Sequence, residues 1–102
     1  MTDCVFCKIL NKEIPSKIIY EDDVCFAIND INPKAKKHIL VIPKEHIESL
    51  NEVQDLNLIK DLFSAIKKIN KMENITAFKT HINTGKSAGQ EVNHLHIHIL
   101  AN

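Results

Sequence analysis

The sequence predicts an α+β chain: a largely antiparallel sheet of about five strands, one long helix against it, and a short helix near the N-terminus. Three observations lead there. Residues 55–72 carry an apolar period of the helical kind. Five shorter segments alternate or run apolar over strand-like lengths. The only two glycines, Gly85 and Gly89, fall in one loop, which concentrates the special backbone needs of the chain at one place.

Each element has its own signal. Cys7–Lys12 reads as the short helix, ended by the Glu13-Ile14-Pro15-Ser16 turn. Lys17–Glu21 and Val24–Asn29 read as strands hinged at Asp22-Asp23, a hairpin. Asp30-Ile31-Asn32-Pro33 is a turn. His38–Ile42 is a continuous apolar run closed by Pro43, the pattern of a central strand buried on both faces. In Asp55–Met72, Ile59, Leu62, Phe63, Ile66 and Ile69 form one stripe. Asp55 is the expected N-cap, and Lys67, Lys68 and Lys71 suit the negative end of the helix dipole. In Thr76–Asn83, Phe78, Thr80 and Ile82 alternate against Lys79, His81 and Asn83. Asn93–Leu100 is the last strand. One helix covers one face of such a sheet, and a second copy covering the remainder makes a homodimer the expectation.

Composition narrows the classes of function. At 102 residues the chain is expected to be one domain, 1–102. Thirteen basic and thirteen acidic residues are interspersed, so neither nucleic acid nor a membrane surface is an expected partner. Lys34-Ala35-Lys36-Lys37 reads as a solvated loop. No apolar stretch approaches the roughly 20 residues a spanning helix needs. Met1-Thr2-Asp3-Cys4 lacks the start of a secretory signal, and three cysteines is an odd count, so a reducing cytoplasm is expected rather than a disulfide framework. Cys25 reads as core packing and His81 as a surface histidine.

The segment His94-Leu95-His96-Ile97-His98-Ile99-Leu100 is the most informative. Strand alternation puts the three histidines on one face, successive ones roughly 6.5–7 Å apart along it, and Leu95, Ile97 and Ile99 on the other. Three imidazoles on one face are costly to bury without partners but can line a groove for an extended ligand. Phosphate chemistry suits them: imidazole is a good nucleophile at neutral pH, and its neighbours can set its tautomer and donate to phosphoryl oxygens. The loop Gly85-Lys86-Ser87-Ala88-Gly89-Gln90 can offer backbone N–H groups to the same anion.

At these residues the chain resembles the histidine triad (HIT) family, whose signature His-φ-His-φ-His-φ-φ is matched by His94–Leu100. The resemblance runs over nearly the whole chain: Cys4-Val5-Phe6-Cys7-Lys8-Ile9-Leu10, Glu13-Ile14-Pro15, Tyr20-Glu21-Asp22-Asp23, Asp30-Ile31 with Pro33, His38 through Ile47, Asn83-Thr84-Gly85 and Ala88-Gly89-Gln90. It implies the HIT-like fold. It also implies His96 as a nucleophile forming a covalent nucleotidyl intermediate, with His98 on phosphate oxygens and the leaving group. His94 and His38 would orient the nucleophile. Asp30 matches the acid that bonds ribose hydroxyls, with Phe6, Ile9, Ile14, Ile28 and Ile31 walling the base. Asn83 and the backbone of Gly89-Gln90-Glu91-Val92 match the phosphate cradle. Asn83, with the Ile-Pro and Asp-Ile motifs, places the chain nearer the Hint branch, which hydrolyses nucleoside phosphoramidates, than the Fhit branch. Two departures stand out: Glu91 replaces a Ser or Thr common in the family, and the sequence stops at Asn102 where many relatives extend, so substrate preference could be looser or different.

Cys4-x-x-Cys7 fits half of a tetrahedral zinc site. The resemblance to some bacterial relatives completes it with His46 and His94 as a closed, structural zinc; catalysis is expected to need no cofactor. The leading expectation is a hydrolase of purine nucleoside phosphoramidates that releases the nucleoside monophosphate. Beside it stand a dinucleoside polyphosphate hydrolase, a nucleotide-binding regulatory module with incidental turnover, and a metal-binding histidine ladder.

Overall fold

A computed structural model describes residues 3–102. Met1 and Thr2, half of the segment read against a secretory signal, lie outside the described residues. The elements are α1 (Val5–Leu10), β1 (Ile18–Glu21), β2 (Cys25–Asn29), β3 (Lys37–Pro43), α2 (Leu56–Met72), β4 (Lys79–His81) and β5 (Ile97–Ala101), with 3-10 turns at Leu50–Glu52 and Lys86–Ala88. The five strands form one antiparallel sheet in the order β1-β2-β3-β5-β4. This is the expected α+β architecture, with β3 at the centre.

Local chemistry accounts for the elements. The β1–β2 hairpin turns on Asp22, whose Oδ1 accepts the N–H groups of Val24 at 2.8 Å and Cys25 at 2.9 Å. Asp55 caps α2 by accepting the Asn57 N–H at 2.9 Å. Of the expected α2 stripe, Leu62, Ile66 and Ile69 are buried; Phe63 is 42% exposed, because Ala65 takes its place toward the sheet.

Two strands are shorter or shifted against expectation. The reading Thr76–Asn83 shrinks to Lys79–His81, since β4 is an edge strand that pairs only with Leu100, Ile99 and His98 of β5. The last strand begins at Ile97 rather than Asn93, because the preceding amides are engaged elsewhere: His94 N–H bonds Val92 O at 2.8 Å and Leu95 N–H bonds Ile47 O at 2.7 Å. The helix expected at Cys7–Lys12 sits two residues earlier, with Cys4 as its cap.

The period-two alternation then builds two unlike layers. Cys25, Ala27, Ile39, Val41, Leu95, Ile97 and Ile99 face α2 and close with Leu62, Ala65, Ile66 and Ile69 into the main core. Phe26, Ile28, Leu40 and Ile42 face the other way, against Phe6 and Ile9 of α1. Burying a side chain of this size stabilises by about 1.5–3 kcal/mol. The second face is therefore covered in part by α1, and the histidines share it.

Candidate active site

A cavity of about 700 Å³ opens on the α1 face of the sheet, within the ~300–1,000 Å³ range of small-molecule sites. One end is apolar: Phe6, Ile9, Ile14, Ile28 and Leu40 line it, with Ile31, 91% exposed, at its rim. The other end is polar, with Asp30, His38, Asn83, Gly89, Glu91, Val92, His96 and His98. Of the residues expected here, His94 and Gln90 are not in the wall. Gln90 is buried as a staple of the glycine loop: it accepts Gly85 N–H at 2.9 Å and donates to Glu48 O at 2.6 Å and Val92 O at 3.0 Å.

Backbone partners decide which nitrogen of each ring carries its hydrogen. His96 Nδ1 lies 2.7 Å from the carbonyl oxygen of His94. A carbonyl only accepts, so Nδ1 holds the hydrogen and Nε2 keeps its lone pair. Burial, the largest cause, pushes the His96 pKa down, which keeps the ring neutral. Phe6 packs edge-on against it with centroids 5.1 Å apart. The arrangement suits a nucleophile: buried, neutral and held in one tautomer.

His38 faces His98 rather than His96. Lys34 N–H donates to His38 Nδ1 at 3.0 Å, so the hydrogen of the neutral ring is on Nε2. That Nε2–H lies 2.9 Å from His98 Nδ1 and 3.4 Å from Asp30 Oδ2. His98 Nδ1 therefore accepts, and the remaining hydrogen of His98 sits on Nε2, which is buried and finds no acceptor among the described residues. Burial, with repulsion from His96, His81 and His38, pushes the His98 pKa down to about 4. Asp30 is held by its own turn, Oδ1 accepting Asn32 N–H at 2.8 Å. Ligand atoms of Asp30, His38 and His98 come within 4.8 Å of one another. A metal on His38 Nε2 would nevertheless displace a proton from a ring whose other nitrogen already accepts an amide. The group is a proton-ordered relay, an arrangement that weighs against a metal at His38.

The glycine loop stands over this end. Gly89 has φ +93° and Gly85 φ +91°, backbone that L side chains rarely adopt. A Cβ on Gly89 would also come 3.4 Å from Asn83 Nδ2, the group that donates to Ala88 O at 2.8 Å.

The four residues expected as zinc ligands come together on the same face, beside the cavity. Cys4 Sγ is 3.3 Å and Cys7 Sγ 3.7 Å from His94 Nδ1, and Cys7 Sγ is 3.4 Å from His46 Nδ1. Ligands about 2.3 Å (sulfur) and 2.1 Å (nitrogen) from a tetrahedral zinc would be about 3.6 Å apart, so the spacing fits. His94 Nε2 lies 2.8 Å from Pro43 O and so carries the hydrogen, leaving Nδ1 free toward the thiols. His94 thus serves two groups, its carbonyl orienting His96 and its ring joining the cysteines.

His81 is exposed, yet it lines the cavity and stacks on His98, centroids 4.2 Å apart and planes 19° from parallel. The sequence held a signal for this: His81 alternates onto the same face as Asn83, one of the expected cradle residues.

Comparison with known proteins agrees with the fold. The family model for the HIT domain matches residues 11–102. Protein HitA of Neisseria gonorrhoeae is 47% identical over 103 residues, covering 98% of this chain and 96% of its own. The crystal structure of a HIT family hydrolase from Legionella pneumophila superposes with TM-score 0.93 at 36% identity, covering 98% and 93%. A histidine triad nucleotide-binding protein from Candida albicans does so with TM-score 0.85 at 35% identity, covering 95% and 73%.

Proposed function

The chain belongs to the HIT domain family, and from that premise we propose that residues 1–102 form one catalytic HIT domain that hydrolyses purine nucleoside phosphoramidates to the nucleoside monophosphate. The observation that carries the reading is the pinned His96 ring in the cavity wall, hydrogen on Nδ1 and lone pair on Nε2. The base lies between Phe6, Ile9, Ile14, Ile28 and Ile31, and Asp30 takes the ribose hydroxyls. The phosphate meets His96, His98, Asn83 and the backbone of Gly89–Val92. His96 Nε2 attacks phosphorus, the P–N bond breaks with its electron pair on nitrogen, and the amine takes up one proton from solvent. Water then cleaves the His96–phosphorus bond and returns that proton. His98 Nε2–H, unpaired in the free protein, gains a phosphoryl or departing atom as acceptor; leaving such a donor unpaired costs about 1–3 kcal/mol.

Glu91 favours an amine over a polyphosphate as leaving group, since its carboxylate lines the cavity and repels added negative charge. A dinucleoside polyphosphate is therefore the second substrate class, and regulatory binding without turnover leaves the pinned nucleophile unexplained. A zinc held by Cys4, Cys7, His46 and His94 would supply rigidity, tying the start of α1 to the segment leading into β5. No cofactor enters the reaction. Free thiols at Cys4 and Cys7 suit a reducing cytoplasm, and among the described residues no helix is long and apolar enough to cross a membrane. The outer edge of β4, unpaired among the described residues, with Phe78, 44% exposed, next to it in the chain, supports a homodimer.

The test is to incubate the protein with an adenosine phosphoramidate, quench, and look by mass spectrometry for an adenylyl group on the peptide bearing His96. Turnover without that adduct, or an adduct persisting in His96→Ala, overturns the assignment.

A further inference from the structure

We propose that His81 is a positioning residue for His98, a role that rests on the function assigned to His98 above. Register puts the two residues opposite each other on β4 and β5. Their rings stack at 4.2 Å and 19°, the tightest and flattest ring pair in the protein. β4 lies beyond β5 from the β2 side of the cavity where the base is placed, so His81 stands at the end where the leaving group departs.

The physical need is clear from the other contacts of His98. Its Nδ1 hydrogen bond to His38 fixes one point of the ring, and a hydrogen bond tolerates a tilt of about 30°. A flat ring against its face removes that tilt and keeps Nε2–H aimed at one place. The groups around His98 are His96 from the segment leading into β5, His38 from β3, Asp30 from the turn between β2 and β3, and His81 from β4. None of the others is stacked flat on it; His38 and His96 are tilted by 44° and 54°. An aimed donor matters most when the departing atom is a poor leaving group, which carries the most charge as the bond breaks.

The experiment compares His81→Val, which removes the stack, with His81→Phe, which keeps a flat ring without a charge. Substrates are two adenosine phosphoramidates, one with an alkylamine and one with 4-nitroaniline as leaving group. For His81→Val, kcat on the alkylamine substrate falls about tenfold while the nitroaniline substrate loses less than about twofold and KM is unchanged. His81→Phe recovers most of the loss. Relaxation of the labelled His98 imidazole, followed by NMR, reports a rigid ring in the parent and His81→Phe and a mobile one in His81→Val, while the Nε2–H tautomer set by His38 stays the same in all three. Unchanged kcat, equal loss on both substrates, a loss in KM alone, or an equally rigid His98 ring in His81→Val overturns the proposal. Turnover surviving in His96→Ala would instead sink the hydrolase reading, and the NMR comparison would still decide whether His81 orders His98. The variants are expected to melt within about 3 °C of the parent, because His81 is exposed.

Discussion

Two histidine clusters share the α1 face of the sheet, and Phe6 touches both, its ring 5.7 Å from His94 and 5.1 Å from His96. Both gather imidazoles with ligand atoms within 4.8 Å of other potential ligands. Their chemistry differs because the backbone treats their rings oppositely. At His94 a carbonyl takes the Nε2–H and turns a bare Nδ1 toward two sulfurs. At His38 an amide occupies the bare Nδ1 and leaves Nε2–H to face the next ring. The first arrangement presents lone pairs to a metal; the second hands a hydrogen along a line. Residue type says imidazole, and a main-chain hydrogen bond says which kind.

If the clusters are separate in this way, damage to one should be read differently from damage to the other. The largest effect is expected for His96→Ala: kcat falls by about 10⁴-fold, while AMP affinity by calorimetry and zinc content by elemental analysis stay near parental values. Zinc lost together with activity would show the clusters to be one unit. Next, Cys4→Ser with Cys7→Ser should abolish zinc binding and lower the melting temperature by about 10 °C, with kcat reduced less than about tenfold. A catalytic collapse matching that of His96→Ala would give the metal a part in the chemistry.

The smallest effect tests the relay by pH, against a background from His94 and His96, whose pKa values burial also pushes down. Histidines in the unfolded chain titrate near 6.5, whereas His98 stays neutral down to about 4 because it is buried and ringed by His96, His81 and His38. His38 is shifted the same way, burial again being the main cause. Between about pH 4 and 6.5 the unfolded chain binds more protons, so stability falls as pH drops through that window and is flat above it. Thermal melts at pH 7.5 and 5.0 should show the parent losing a few degrees and His98→Phe losing less. An equal slope in the two proteins would mean that the relay is not the source.

Much of the fold was legible because it follows from periodicity. The α2 stripe, the buried β3 run and the alternation of His94, His96 and His98 against Leu95, Ile97 and Ile99 are properties of spacing, and the layers obey it even where β5 proper starts only at Ile97. The site was legible as a set of residue types through the triad and glycine-loop motifs. His81 was not placed, although its shared face with Asn83 was visible, because a neighbour across an edge strand depends on register, which a three-residue strand barely encodes.

Sequence alone determined which side chains lie on each face, where the helix runs, and that imidazoles, thiols and a glycine loop are available together. Tertiary structure decided their roles. The partners that order the rings, Lys34 N–H, Pro43 O and His94 O, are main-chain groups that every residue carries alike, so no spacing of side chains reveals which ring each will meet. Only the folded path of the chain selects the pairing, and with it the nitrogen left free to react.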